Sequence, residues 1–152
     1  MKIDILCVGK IKEEYFRNAI DEYKKRLSRY ADVEIIEVAD EATDDAQAPA
    51  REGERLIKKI SDSAYVIALA IKGKKYTSES FSQYISDLAI TGNSHIQFII
   101  GGSMGLSDEV LGWCDSKLSF SDMTFPHQLM RVLFLEQLYR AFKIIKNEPY
   151  HK

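Results

Sequence analysis

Cysteine and histidine are scarce in this chain, long apolar runs are missing, and neither sign of charge dominates. The two cysteines, Cys7 and Cys114, lie far apart and offer no disulfide framework, which points to a reducing, cytoplasmic setting. Only His95, His127 and His151 accompany them, with no metal-ligand spacing, so no metal is expected. No apolar stretch approaches the roughly 18 to 20 residues of a membrane-spanning helix, so no membrane partner is expected either. The opening run, Met1 to Gly9, is too short in its apolar part for a secretory leader and reads as a strand. Basic and acidic residues number 21 and 23, for a formal net charge of −2. That balance speaks against a free nucleic-acid binder and leaves room for a local basic patch.

What is present is a globular profile: 152 residues, 45% hydrophobic and 29% charged, expected to form a single domain over 1–152. Residues 2–8, 33–39, 65–71 and 95–100 read as strands, with a weaker run at 117–121. The third and fourth are nearly continuous apolar runs, as expected of interior parallel strands covered on both faces. Between them Phe16, Ala19, Ile20, Tyr23, Leu27 and Tyr30 recur at helical spacing. Pro49 opens a second helix reaching towards Ser63, and Phe81, Tyr84, Ile85, Leu88 and Ala89 mark a third, stopped at Gly92-Asn93. A short fourth begins at Ser107. Residues 40–48 read as a mobile acidic loop. The order predicts an α/β fold: an open, mainly parallel sheet with helices on both faces, and a ligand site beyond the carboxyl ends of its strands.

The last helix, from about His127 to Lys146, is apolar over far more than one face. Such a helix must be covered on several sides, and a second copy of the chain supplies the missing cover. A self-contained core helix is the alternative.

Three segments carry unusual composition. Ile71-Lys72-Gly73-Lys74-Lys75-Tyr76 reads as a turn that either meets phosphates and stacks a base or is merely solvated. Ile100-Gly101-Gly102-Ser103-Met104-Gly105-Leu106-Ser107 is a glycine-rich strand-to-helix turn that lets backbone approach a ligand, although it matches no phosphate-loop sequence. Phe120-Ser121-Asp122-Met123-Thr124-Phe125-Pro126-His127-Gln128 leads into the last helix, with Thr124 or a neighbour as its cap and Pro126 in its first turn. His127 at the positive helix end is then expected to be neutral, as a proton acceptor or as a capping or core residue. These residues by themselves describe a dimeric α/β ligand binder.

Read together, Thr124-Phe125-Pro126-His127-Gln128-Leu129-Met130-Arg131, Glu136-Gln137-Leu138-Tyr139-Arg140-Ala141 and the terminal Pro149-Tyr150-His151 resemble the RlmH family. The Ile100-Gly101-Gly102 turn and the strand end Val8-Gly9-Lys10 agree, and the resemblance spans the chain. Asn147 stands where glycine often precedes the final Pro-Tyr-His. The resemblance implies the SPOUT superfamily, with a C-terminal trefoil knot, and a homodimeric enzyme that methylates N3 of a pseudouridine in large-subunit (23S) ribosomal RNA on the assembled 70S ribosome. It implies that Leu69, Gly101, Phe120, Ser121, Asp122, Met123, Thr124 and Phe125 surround S-adenosylmethionine. It also implies that Arg140, Tyr150 and His151 act at the reaction centre, the tail of one subunit completing the site of the other, with Glu136 and His127 nearby. His151 or a neighbour is expected to take the N3 proton while Arg140 stabilises the anion. Lys72, Lys74, Lys75 and Lys152 are candidate phosphate contacts. A non-catalytic ribosome-associated module and a flavodoxin-like nucleotide enzyme are the rival readings.

Overall fold

A computed structural model of the chain describes residues 1–42 and 45–152. Thr43 and Asp44, part of the expected acidic loop, lie outside the described residues. Five strands, β1 (Lys2–Val8), β2 (Asp32–Val38), β3 (Tyr65–Lys75), β4 (His95–Ile100) and β5 (Ser116–Ser119), form one parallel sheet in the order β2-β1-β4-β3-β5. Five helices connect and cover them: α1 (Glu14–Leu27), α2 (Ala48–Ile57), α3 (Ser78–Ile90), α4 (Asp108–Trp113) and α5 (His127–Ile145).

The pleat explains how short strands serve two cores. Ile3, Ile5 and Cys7 of β1 join Ile67, Ile96, Phe98 and Ile100 on one face, beneath Ile20 and Leu27 of α1, Phe81 and Ile85 of α3, and Phe134 and Leu138 of α5. Leu6 and Val8 point the other way, with Val38, Val66 and Ile99, towards Leu56 of α2 and Val110 of α4. Burial on both faces accounts for the near-continuous apolar reading of the central strands. On the α2 face the buried Asp4 is not left alone: His95 Nε2 lies 2.6 Å and Gln97 Nε2 3.0 Å from its Oδ2, and Gln97 Oε1 accepts from the Ser61 amide.

Three local expectations change. The lysine-rich segment is strand rather than turn, since β3 runs on to Lys75. A register shift between Leu69 and Lys74 lets it re-pair with Leu118 and Ser119 of β5. Gly73 sits at that irregularity because a Cβ there would lie 2.6 Å from the Leu118 carbonyl carbon. Tyr76 is not the solvated ring of an open turn: half-buried, it stacks one face on Tyr84, centroids 5.2 Å apart. The second helix ends at Ile57, after which the Lys59 and Ile60 amides bond three residues back in tight turns.

Candidate active site

The carboxyl ends of β3, β4 and β5 open onto a cleft of about 700 Å³. Residues 69–71, 100–105, 119–121 and 123–127 line it, with Met130 of α5. The glycine turn is drawn in on itself. A Cβ on Gly101 would lie 2.8 Å from the Gly105 carbonyl carbon, and the Gly105 amide donates to Gly102 O at 3.0 Å. On the facing wall the Ser119 hydroxyl donates to Ser121 O, and the Met123 amide to Ser121 Oγ. Phe120 is held to the core by the Phe134 ring, 6.1 Å away. Among the described residues, the backbone groups of Thr124 and Phe125 make no hydrogen bond to the rest of the chain. The cleft thus offers unspent amides and carbonyls in an apolar setting, which suits a planar heterocycle with donors and acceptors on its edge. Ile71, Met104 and Met123, all exposed, bring apolar surface to its rim.

Of the residues expected around a cofactor, Leu69, Gly101, Phe120, Ser121, Met123, Thr124 and Phe125 line this cleft, and Asp122 does not. Asp122 points to solvent and pairs with Lys75. His127 lines the cleft from the first turn of α5, half-buried, and its pKa falls below 6.5 through burial and then the nearby Arg131 charge. The helix entry differs from the expected cap. Pro126 is itself the N-cap, and no side chain caps the helix.

Arg140, Glu136, Tyr150 and His151 form a second constellation. Glu136 Oε1 accepts from Arg140 Nε (3.1 Å) and Nη2 and from the Tyr150 hydroxyl (3.0 Å). Arg140 Nη1 lies 3.1 Å from His151 Nδ1, and the guanidinium stands 4.7 Å from the Tyr150 ring centroid. Burial, then the bond to Glu136, pushes the Tyr150 phenol up to about 12, so it stays a donor near neutrality. The same carboxylate raises the pKa of Arg140.

A helix ending builds this cluster. Asn147 takes φ +55°, the Asn147 amide donates to Ile144 O, and the Glu148 amide reaches back to Lys143 O. These two bonds make a Schellman ending with asparagine in the left-handed position usually held by glycine. It turns residues 148–152 back along α5, where Glu148 Oε2 accepts from Tyr30 and Lys143.

His127 belongs to the cleft and not to this cluster. From Met130 to Arg140 the helix rises about 15 Å at 1.5 Å per residue.

Two residues of consequence had no role assigned from sequence. Arg131, 1% exposed, donates to Glu37 Oε2 (2.7 Å), Val8 O (2.9 Å) and Gly9 O (2.6 Å), fastening α5 to the ends of β1 and β2. A cation inside an apolar helix was the available signal, because a buried charge must have partners. Glu79 Oε1, on the first turn of α3, lies 2.7 Å from His151 Nε2. No pattern along the chain joins two residues so far apart.

Comparison with known proteins agrees with this architecture. The family described as "Predicted SPOUT methyltransferase" matches residues 1–151. A Bifidobacterium animalis subsp. lactis protein named ribosomal RNA large subunit methyltransferase H is 57% identical, with 100% of each chain covered. Clostridium perfringens and Clostridium botulinum proteins of the same designation are 55% identical over the same full coverage. Among solved structures, a probable methylase family protein from Haemophilus influenzae shares the fold with a TM-score of 0.59 at 16% identity, covering 99% of this chain and 70% of that one. The chain belongs to the SPOUT methyltransferase family, and within it to the RlmH group whose members it matches from end to end.

Proposed function

We propose that the protein is a cytoplasmic, homodimeric methyltransferase that takes its methyl group from S-adenosylmethionine and places it on N3 of a pseudouridine in 23S ribosomal RNA of the assembled 70S ribosome. The observation that carries the reading is the separation along α5. The cleft suits an adenosine-like group, yet Arg140 and His151 lie about 15 Å further along the helix. Reacting atoms must approach to about 3–3.5 Å, and this separation favours a site that joins the cleft of one protomer to the cluster of another. An antiparallel pairing of α5 helices about a twofold axis sets the tail of one protomer over the cleft of the other. The half-buried Leu129, Val132, Leu133 and Ile144 supply an apolar seam for it.

S-adenosylmethionine would supply an electrophilic methyl group on a cationic sulfur. Leu69, Gly101, Phe120, Thr124 and Phe125 would hold its adenosine by backbone bonds and apolar contact, in the bent form that a trefoil knot imposes. The chain's own share of the chemistry is to orient the base, take its N3 proton and stabilise the resulting anion. His151 and Arg140 carry those tasks, with Tyr150 and Glu136 holding Arg140. Lys72 and Lys74, both exposed, and Lys152 would meet RNA phosphates.

The test is methyl transfer from labelled S-adenosylmethionine to 70S ribosomes lacking the modification, with separated subunits and protein-free RNA in parallel. Label in large-subunit RNA is the expected result. Cofactor binding without transfer to any of them favours a non-catalytic ribosome-associated module. Mixing an Arg140→Ala variant with a cleft-blocked variant tests the shared site. A composite site restores roughly a quarter of full activity through the heterodimer, and a site within one protomer restores none.

A further inference from the structure

The hydrogen bonds of His151 leave its ring no choice of tautomer. A guanidinium has only donors, so the Nδ1 facing Arg140 Nη1 at 3.1 Å must carry the lone pair. The Nε2 facing the Glu79 carboxylate at 2.7 Å must then carry the hydrogen. We infer that Glu79 is a positioning residue for methyl transfer: by accepting Nε2–H it fixes the neutral His151 tautomer with Nδ1 as the base atom beside Arg140.

The arrangement also says what edge of a nucleobase it fits. Nδ1 is an acceptor, and Arg140 Nη1 next to it is a donor. An imide edge presents the complement, a ring N–H flanked by carbonyl oxygens. Uracil-type bases, pseudouridine included, have that edge at N3, whereas the amidine-like edges of cytosine and adenine do not. On binding, N3–H replaces the guanidinium at Nδ1, and Arg140 swings to a flanking carbonyl. The N3 proton passes to Nδ1, and the anion left behind is shared between N3 and the carbonyl oxygen that Arg140 faces. The imidazolium keeps its Nε2–H on the Glu79 carboxylate, which stabilises the new positive charge as the carboxylate of a hydrolase triad does. With S-adenosylmethionine bound, the nitrogen lone pair would form the N–CH3 bond as the S–CH3 bond breaks with its electron pair on sulfur, and the imidazolium would give its proton to water.

Glu79 is well placed for this duty. It lies in the first turn of α3, whose N-terminus is fixed by the reciprocal Thr77–Ser80 capping bonds, and Ser78 donates to Gln137 on α5 at 2.7 Å. The carboxylate is therefore referenced to the same helix that carries Arg140. Its contact with His151 lowers its pKa, in keeping with an ionised acceptor.

This inference rests on the methyltransferase reading above, and two readouts keep the two apart. The first is the side-chain nitrogen NMR of histidine-labelled protein near neutral pH, with His151 assigned by its loss in His151→Ala. The unmodified protein is expected to show His151 as the Nε2–H tautomer. Glu79→Ala should show a tautomer mixture, and Glu79→Gln, whose amide oxygen still accepts, should keep the single form. The second is turnover on ribosomes. Glu79→Ala should lower kcat by ~10²-fold, with KM for ribosomes within about twofold and cofactor binding unchanged. Glu79→Gln should lie between, since it restores the tautomer without the charge. An Nδ1–H tautomer in the unmodified protein, or a Glu79→Ala enzyme with undiminished kcat, overturns the role of Glu79. If the unmodified protein transfers no methyl group at all, the methyltransferase reading falls. The tautomer comparison between Glu79→Ala and the unmodified protein then still decides whether Glu79 positions His151.

Discussion

The two ends of α5 serve sites made of opposite materials. At its start the cleft is walled by a glycine turn, apolar side chains and unbonded backbone, and Arg131, next to the lining Met130, spends both terminal nitrogens on Glu37, Val8 O and Gly9 O. At its end a carboxylate, a guanidinium, a phenol and an imidazole hold one another in a connected set of bonds. On the proposed function, the first would recognise by shape and by backbone groups that any sequence carries. The second would work only through particular side chains. Substitutions at the two ends should therefore fail in different ways, the cleft in affinity for the cofactor and the cluster in rate.

The largest difference is expected for Arg140→Ala. Loss of the guanidinium proposed to face the developing anion should lower kcat by ~10²–10³-fold while cofactor affinity stays near normal. An equal loss of cofactor affinity, measured by calorimetry, would show that the two regions are not separable in this way.

Next is Arg131→Ala, which strikes the joint between them. It strands two strand-end carbonyls and Glu37, and should cost about 3 kcal/mol in urea unfolding, at the low end for such pairs because the Glu37 side chain is 36% exposed. A change below 1 kcal/mol would mean that water replaces the guanidinium without loss.

A smaller effect is expected on the cleft side. Gly101→Ala puts a methyl group 2.8 Å from Gly105 backbone, forcing the turn outward. S-adenosylmethionine should bind roughly tenfold more weakly, about 1.4 kcal/mol, with kcat at saturation little changed. A fall in saturated kcat with unaltered affinity would reverse the assignment of the two regions.

The smallest effect concerns His127. Its folded pKa lies below the unfolded value of 6.5 because burial and Arg131 disfavour the imidazolium. The unfolded chain therefore takes up a proton first as pH falls through 6.5, and this residue's contribution to stability is lost on the acid side. The urea midpoint of the unmodified protein should drop relative to His127→Gln as the pH is lowered through that range. Parallel profiles would remove burial as the cause.

The same division governs how much could be read from the chain. The strands are legible from apolar runs at β3 and β4, from partial alternation at β1 and β2 and more faintly at β5, and the helix starts from Pro49, Ser107 and the His127 stripe, because these signals are local. The continuation of β3 was not, since Lys72, Gly73, Lys74 and Lys75 have the composition of a turn and become strand only by pairing with Leu118 and Ser119. Strand order is likewise set by which apolar faces find each other. The glycine turn at 100–107 and the segment 120–128, which line the cleft, stand out by composition alone, without any family resemblance. Glu79 could not be, because its only distinction is a contact created when the Asn147 ending folds the tail back.

The continuity of α5 has a consequence for how this protein can vary. Cleft and cluster are mounted on one rigid rod, so their relative bearing is set by the count of residues between Met130 and Arg140. Adding or removing a single residue there turns one end against the other by about 100° and shifts it by about 1.5 Å. Surface loops absorb insertions readily, and the largely exposed turn between α3 and β4 is a natural place for them. Along α5 the chain has no such slack: substitutions can accumulate, but the spacing itself must be inherited intact.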